Sequence, residues 1–111
     1  MRRYLPAKGD IVVLSLDPQS GHEQKGRRPA LVVSNTQFNR ATGLAMVCPL
    51  TSADRGIPFH VPVADCPAVS GFVMAEQVKS VDFAARHARR LAAAPPALLD
   101  AVLAVLDACL F

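Results

Sequence analysis

Between Gly21 and Pro29 the chain reads GHEQKGRRP, which brings together an imidazole (His22), a carboxylate (Glu23), an amide (Gln24) and three cations (Lys25, Arg27 and Arg28). Histidine and glutamate can move protons near neutral pH. Arginine keeps its charge and offers a phosphate two parallel hydrogen bonds from a planar fork. These groups match the demands of RNA phosphodiester cleavage. RNA carries its own nucleophile, the 2′-hydroxyl, so a protein need only orient it, accept its proton, stabilise the crowded phosphate and protonate the leaving 5′-oxygen. No metal is obligatory for that chemistry. Further along, PLTS ends in Thr51 and Ser52, and the Thr51 hydroxyl could donate to a developing phosphorane charge.

Every one of these residues also has a plainer reading. Glu23 could pair with Lys25 or Arg27, or hold an amide of its own loop. Gly21 and Gly26 could be turn glycines, and Thr51 and Ser52 strand-end hydroxyls bonded to nearby backbone. Arg28 stands out because it directly precedes Pro29, which holds its backbone extended and places its side chain reproducibly. Glu76 and Gln77, at the end of a strand-like run, could line the same cleft, or Glu76 could be a salt-bridged strand carboxylate. His60 and His87 read as surface histidines, and the three histidines are too dispersed for a metal signature. The RHARR run over residues 86–90 reads as a solvated face or as an extension of an RNA path.

Short strands must position these groups. Residues 10–16 (DIVVLSL), 29–34 (PALVVS), 44–50 (LAMVCPL), 59–63 and 71–78 (GFVMAEQV) are apolar or β-branched and bounded by turn residues, with 79–83 as a short extension. Prolines on both sides of residues 59–63 predict an edge strand. Residues 91–94 read as an alanine-rich link. Five short strands imply a small barrel or sandwich. After Pro95-Pro96 the sequence turns to helix formers up to Phe111, with Asp100 and Asp107 as its only charges. They mark a narrow polar stripe on a helix otherwise apolar through Leu98, Leu99, Val102, Leu103, Val105, Leu106, Cys109 and Leu110. One small barrel cannot cover that much apolar surface, so the helix predicts a subunit contact.

The 111 residues are the size of one domain, 1–111, and 51% are hydrophobic, enough for a modest core. A net charge of +3 and a pI near 9.1 permit a nucleic-acid partner without requiring one. Cys48, Cys66 and Cys109 lack CxxC spacing and read as reduced structural thiols. The N-terminal MRRYLP has no apolar run after its arginines, so neither a secretory nor a twin-arginine signal is expected. No run is long enough to span a membrane. The expected location is the cytoplasm.

Taken in order, GDIV at 9–12, LDP at 16–18, GHEQ at 21–24, GRRPALVV at 26–33, PLT at 49–51 and EQVKS at 76–80 resemble the MazF/PemK family of toxins over nearly the whole chain. The resemblance implies a β-rich α+β fold, a small SH3-like barrel of the MazF/PemK/CcdB kind with a C-terminal helix, and a homodimer. It also implies a sequence-specific endoribonuclease (mRNA interferase) that cuts single-stranded RNA without metal or cofactor, leaving a 2′,3′-cyclic phosphate and a 5′-hydroxyl. A cognate acidic, MazE-like antitoxin is expected with it. By the same resemblance Arg28 and Thr51 are the principal catalytic pair, with Glu23 and His22 beside them. Gln24, Lys25, Arg27, Ser52, Glu76 and Gln77 are then expected to contact RNA. Glu76 stands where family members commonly carry Asp, and Met74 where PemK-type members carry Arg, so an acid–base scheme built on that pair does not transfer. Residues 35–42 and 51–58 are expected to be the segments that touch splayed bases, and they carry no readable base code. Two alternatives fit part of the pattern. A CcdB-like toxin inhibiting DNA gyrase would use the helix end, Ala108 to Phe111, and a non-catalytic RNA-binding barrel would use the basicity alone.

Overall fold

The computed structural model describes residues 3–15 and 27–111. In these residues β1 (Asp10–Ser15) and β2 (Arg27–Val32) are followed by a helix, α1 (Thr36–Thr42), and then by β3 (Leu44–Thr51), β4 (His60–Pro62) and β5 (Phe72–Met74). A 3₁₀ turn (Ala75–Gln77), β6 (Lys79–Asp82), β7 (Arg89–Ala93) and the C-terminal helix α2 (Pro96–Leu110) complete the chain. The strands form one antiparallel sheet in the order β4-β5-β3-β2-β1-β7, with β6 pairing the other half of β3. β4 lies at the sheet edge, as its flanking prolines predicted.

The central strands are nearly all apolar because both of their faces are covered. Ile11, Leu31 and Cys48 stand in one row of the register and pack with Leu50, Val61 and Val73 beneath Leu98, Val102 and Leu106 of α2. Val12, Leu14, Ala30, Val32, Ala45 and Val47 point the other way. With Val81 they form a second core, closed by Tyr4, Phe83 and Ala88. Asp10 knots the N-terminal segment to the far edge. It accepts from the Tyr4 hydroxyl, from the Ala7 amide at 3.1 Å and from Arg90 Nε at 3.2 Å.

Several sequence expectations need correction. Residues 36–42 form a helix rather than a loop. Asn35 caps it by accepting from the Phe38 amide, and Gly43, at φ +73°, returns its N–H to the Asn39 carbonyl. Its one buried side chain is Asn39, which donates to the Pro6 carbonyl at 2.8 Å and to the Ser34 carbonyl at 3.2 Å, so no apolar stripe announces this helix. The expected fifth strand, 71–78, holds β5 and the 3₁₀ turn, and its expected extension is a separate strand, β6. The turn lets β3 pair β5 at Leu50 and Thr51 and β6 from Leu44 to Val47. The RHARR run and the alanine link supply β7, a largely exposed edge strand on β1. In α2, Leu98, Leu99, Val102, Leu103, Val105 and Leu106 pack on the sheet. Its open face is wider than the two aspartates suggest because Ala101, Ala104 and Ala108 share it. Leu110 and Phe111 project from its end, 62% and 97% exposed. Among the described residues no helix is long and apolar enough to cross a membrane.

Candidate active site

β2 starts at Arg27, and its pairing with β3 sets Ala30 opposite Pro49. Beyond that pair, Arg28 lies two residues toward the start of β2 and Thr51 two residues toward the end of β3. Both line an open cleft of about 410 Å³ together with Arg27, Pro29, Ser52, Val69 and Ser70, among others. The Arg28 backbone is held on its other side by β1, opposite Leu14. Its side chain is exposed, with no hydrogen bond or ion pair to another described residue.

Thr51 is half-buried, and its Oγ1 accepts the Ala53 amide at 3.2 Å. That contact occupies a lone pair and leaves the hydroxyl proton available to an acceptor in the cleft. The wall beside it depends on Gly71, whose φ is +98°. A Cβ there would lie 2.2 Å from the Thr51 carbonyl oxygen, a distance no backbone contact tolerates. Arg27 is partly committed to structure. Its Nη2 donates to the Val13 carbonyl at 3.2 Å and to the His87 carbonyl at 2.9 Å, leaving Nε and Nη1 as its remaining donors.

Arg27, Arg28, Thr51 and Ser52 thus come together. Glu76 and Gln77 sit on the 3₁₀ turn and are not among the residues lining this cleft. Glu76 Oε2 is 2.9 Å from His60 Nε2. This corrects the reading of His60 as a surface histidine, since its side chain is 4% exposed and its Nδ1 has no partner among the described residues. Burial, and after it the Glu76 carboxylate, push the Cys48 thiol up to about 12, so Cys48 stays protonated at neutral pH. Positions 48, 60 and 76 are far apart in sequence, and His60 and Glu76 meet because β4 pairs β5 just before the 3₁₀ turn that carries Glu76. His22, Glu23, Gln24 and Lys25 lie outside the described residues. Among the described residues no group of His, Cys, Asp and Glu side chains could hold a metal ion.

The family model for the PemK-like, MazF-like toxins of type II toxin–antitoxin systems matches residues 7–110. This chain belongs to that family. The endoribonuclease toxin MazF of Escherichia coli K12 is 36% identical over 105 residues, covering 95% of this chain and 94% of that protein. Endoribonuclease PemK of Escherichia coli is 37% identical over 107 residues, covering 93% of this chain and 80% of that one. In structure, MazF of Deinococcus radiodurans superposes with a TM-score of 0.86 at 44% identity, covering 97% of this chain and 98% of that one. A MazE–MazF complex from the same organism gives 0.85 at 39% identity over 97% of each chain. The SH3-like, CcdB-like expectation agrees with this sheet and its C-terminal helix. Among PemK-like, MazF-like toxins, this chain carries Met74 and Glu76 where the resemblance predicts Arg and Asp. Its Glu76 is paired with His60.

Proposed function

We propose that this chain is the toxin of a toxin–antitoxin pair and acts as an endoribonuclease on single-stranded RNA, messenger RNA included. The observation that carries this reading is the pairing of Arg28, unpartnered among the described residues, with the donor-ready Thr51 hydroxyl in one open cleft. A phosphodiester in the cleft would meet the Arg28 fork on its non-bridging oxygens and the Thr51 hydroxyl beside them. The RNA 2′-oxygen attacks phosphorus and gives its proton to a general base, for which His22, Glu23 and Arg28 are the candidates. The bond to the 5′-oxygen breaks, and that oxygen takes a proton from a protonated member of the same set of side chains or from water. The products are a 2′,3′-cyclic phosphate and a 5′-hydroxyl, with no metal required. Charge builds on the phosphorane oxygens, so donors fixed before the reaction stabilise the transition state more than the substrate.

The named relatives are endoribonucleases, and a MazE–MazF complex stands among the similar structures. On that footing we assign this chain a cognate antitoxin with an acidic segment that covers the basic cleft and excludes RNA. We also assign it a homodimeric state, supported by the exposed end of α2, and a cytoplasmic location. A gyrase inhibitor acting through the helix end would have no use for the Arg28 cleft.

Single-turnover cleavage of a short RNA at saturating protein, in EDTA, tests the catalytic reading. Arg28→Lys keeps the charge but loses the planar fork, and the expected loss is on the order of 10²–10³ in rate. Thr51→Ala should lose less. Near wild-type turnover by Arg28→Lys would reduce the arginine to a counter-charge, and absence of discrete fragments from the wild type would reject the nuclease.

A further inference from the structure

A second cavity, of about 660 Å³, lies on the sheet face opposite α2 and is lined by Arg3, Tyr4, Phe83, Ala84, His87 and Ala88, among others. Nothing in the proposed cleavage mechanism uses it. We propose that this cavity is a base-binding subsite for single-stranded RNA, in which an unstacked nucleobase rests on the Tyr4 and Phe83 rings while Arg3 and His87 meet the adjoining phosphate. The proposal rests on the reading of the chain as an RNA-cutting enzyme.

Three features carry it. The first is fixed aromatic surface. Tyr4 is anchored through its hydroxyl to Asp10, and burial with that hydrogen bond pushes its ionisation above the ordinary phenol range. It presents a neutral ring. Phe83 packs on the second core, so a base meets walls that need no rearrangement. The second is charge. Arg3 and His87 are exposed at the cavity, and none of the residues lining it is acidic. The nearby Asp10 carboxylate is already met by Tyr4 and Arg90.

The third is continuity with the catalytic cleft. Arg27 lines that cleft, and its Nη2 lies 2.9 Å from the carbonyl of His87, which lines the second cavity. Arg27 therefore ties the wall of the cleft to the turn that carries His87. The same contact holds the 83–88 turn, in which the Ala88 amide donates to the Phe83 carbonyl at 2.9 Å and His87 takes φ +56°. RNA leaving Arg28 and Thr51 has a basic path past Arg27 to an aromatic platform, the combination that binds single strands.

The chain contains no tryptophan, so Phe83→Trp places a sole indole in the cavity while keeping an aromatic wall. In a Phe83→Trp, Thr51→Ala protein, which cuts slowly, single-stranded RNA should quench the indole emission with the same midpoint as the anisotropy change of the labelled RNA. Fully paired RNA should not. Phe83→Leu, which retains apolar packing, should weaken binding of a long RNA by roughly 5- to 100-fold, as loss of one base–aromatic stack does. Arg3→Ala should weaken it less, and neither should change single-turnover cleavage of a saturating RNA too short to leave the Arg28 cleft. Binding with unchanged indole emission, or equal losses on long and short RNA, would overturn the subsite while leaving the nuclease intact. RNA that neither binds nor is cut by the wild type would sink the nuclease reading and the subsite with it.

Discussion

Arg27 ends on the main chain of a turn sixty residues away: its Nη2 sits 2.9 Å from the His87 carbonyl oxygen and also reaches the Val13 carbonyl at 3.2 Å. A residue expected to face RNA thereby joins β1, β2 and the turn before β7. Arg27→Ala should therefore lower stability as well as RNA affinity. Removing a donor from two carbonyls, one of them partly buried, is worth about 1–3 kcal/mol. Urea denaturation should show a lower midpoint with an unchanged slope. Arg27→Ala with wild-type stability and weakened RNA binding would make this arginine a phosphate contact alone.

Gly71 should be irreplaceable beside Thr51. Alanine would place a methyl 2.2 Å from the Thr51 carbonyl oxygen at a φ of +98°, so the β3 end or the 68–70 wall must shift. We expect Gly71→Ala to cost about 1–3 kcal/mol in backbone strain and to slow single-turnover cleavage in protein that is still folded. Wild-type cleavage by folded Gly71→Ala would show that the Thr51 position tolerates movement of its wall.

The His60–Glu76 pair gives a different pattern. Glu76→Ala removes the 2.9 Å partner of a histidine that is 4% exposed and already has an unpartnered Nδ1 among the described residues. Destabilisation of about 1–3 kcal/mol is expected, whereas Glu76→Gln, which can still hydrogen-bond Nε2, should lose less. Thermal melts of both variants, with cleavage assayed below their transitions, separate a structural from a catalytic carboxylate. A large rate loss in stable Glu76→Gln would place the carboxylate in the reaction.

Cys48 makes stability depend on alkaline pH. Its thiol is raised from an ordinary 9.0 to about 12 by burial and by Glu76. Above pH 9 the unfolded chain releases this proton while the folded chain holds it. The native state then binds more protons, so the contribution of Cys48 to stability is full below pH 9 and declines as pH rises toward 12. Cys48→Ala should flatten that part of the curve in urea melts between pH 8 and 10.5. Parallel curves for the variant and the wild type would mean that the thiol is not held protonated.

Much of the fold could be read from the sequence because burial on both sheet faces leaves a local trace. β1, β2 and β3 each contain an apolar run, IVVL, PALV and LAMVCPL, and α2 begins at its proline pair. Elements held by something other than apolar burial were not legible. α1 depends on the Asn35 cap, Gly43 and a buried Asn39, and β7 is an arginine- and alanine-rich edge strand supported by β1.

The candidate site divides in the same way. By itself the sequence determined which groups are available: a basic loop entering a strand, Arg28 set before Pro29, and a Thr-Ser pair closing another strand. Residue type and backbone restriction are local properties, so they can be read along the chain. Only the tertiary structure decided that Arg28 and Thr51 line one cleft, that half the terminal nitrogens of Arg27 serve a distant turn, and that Glu76 is turned to His60. Those relationships follow from the register between strands far apart in sequence. A one-residue change of register would send each side chain to the opposite face, and no single strand encodes its partner's alignment.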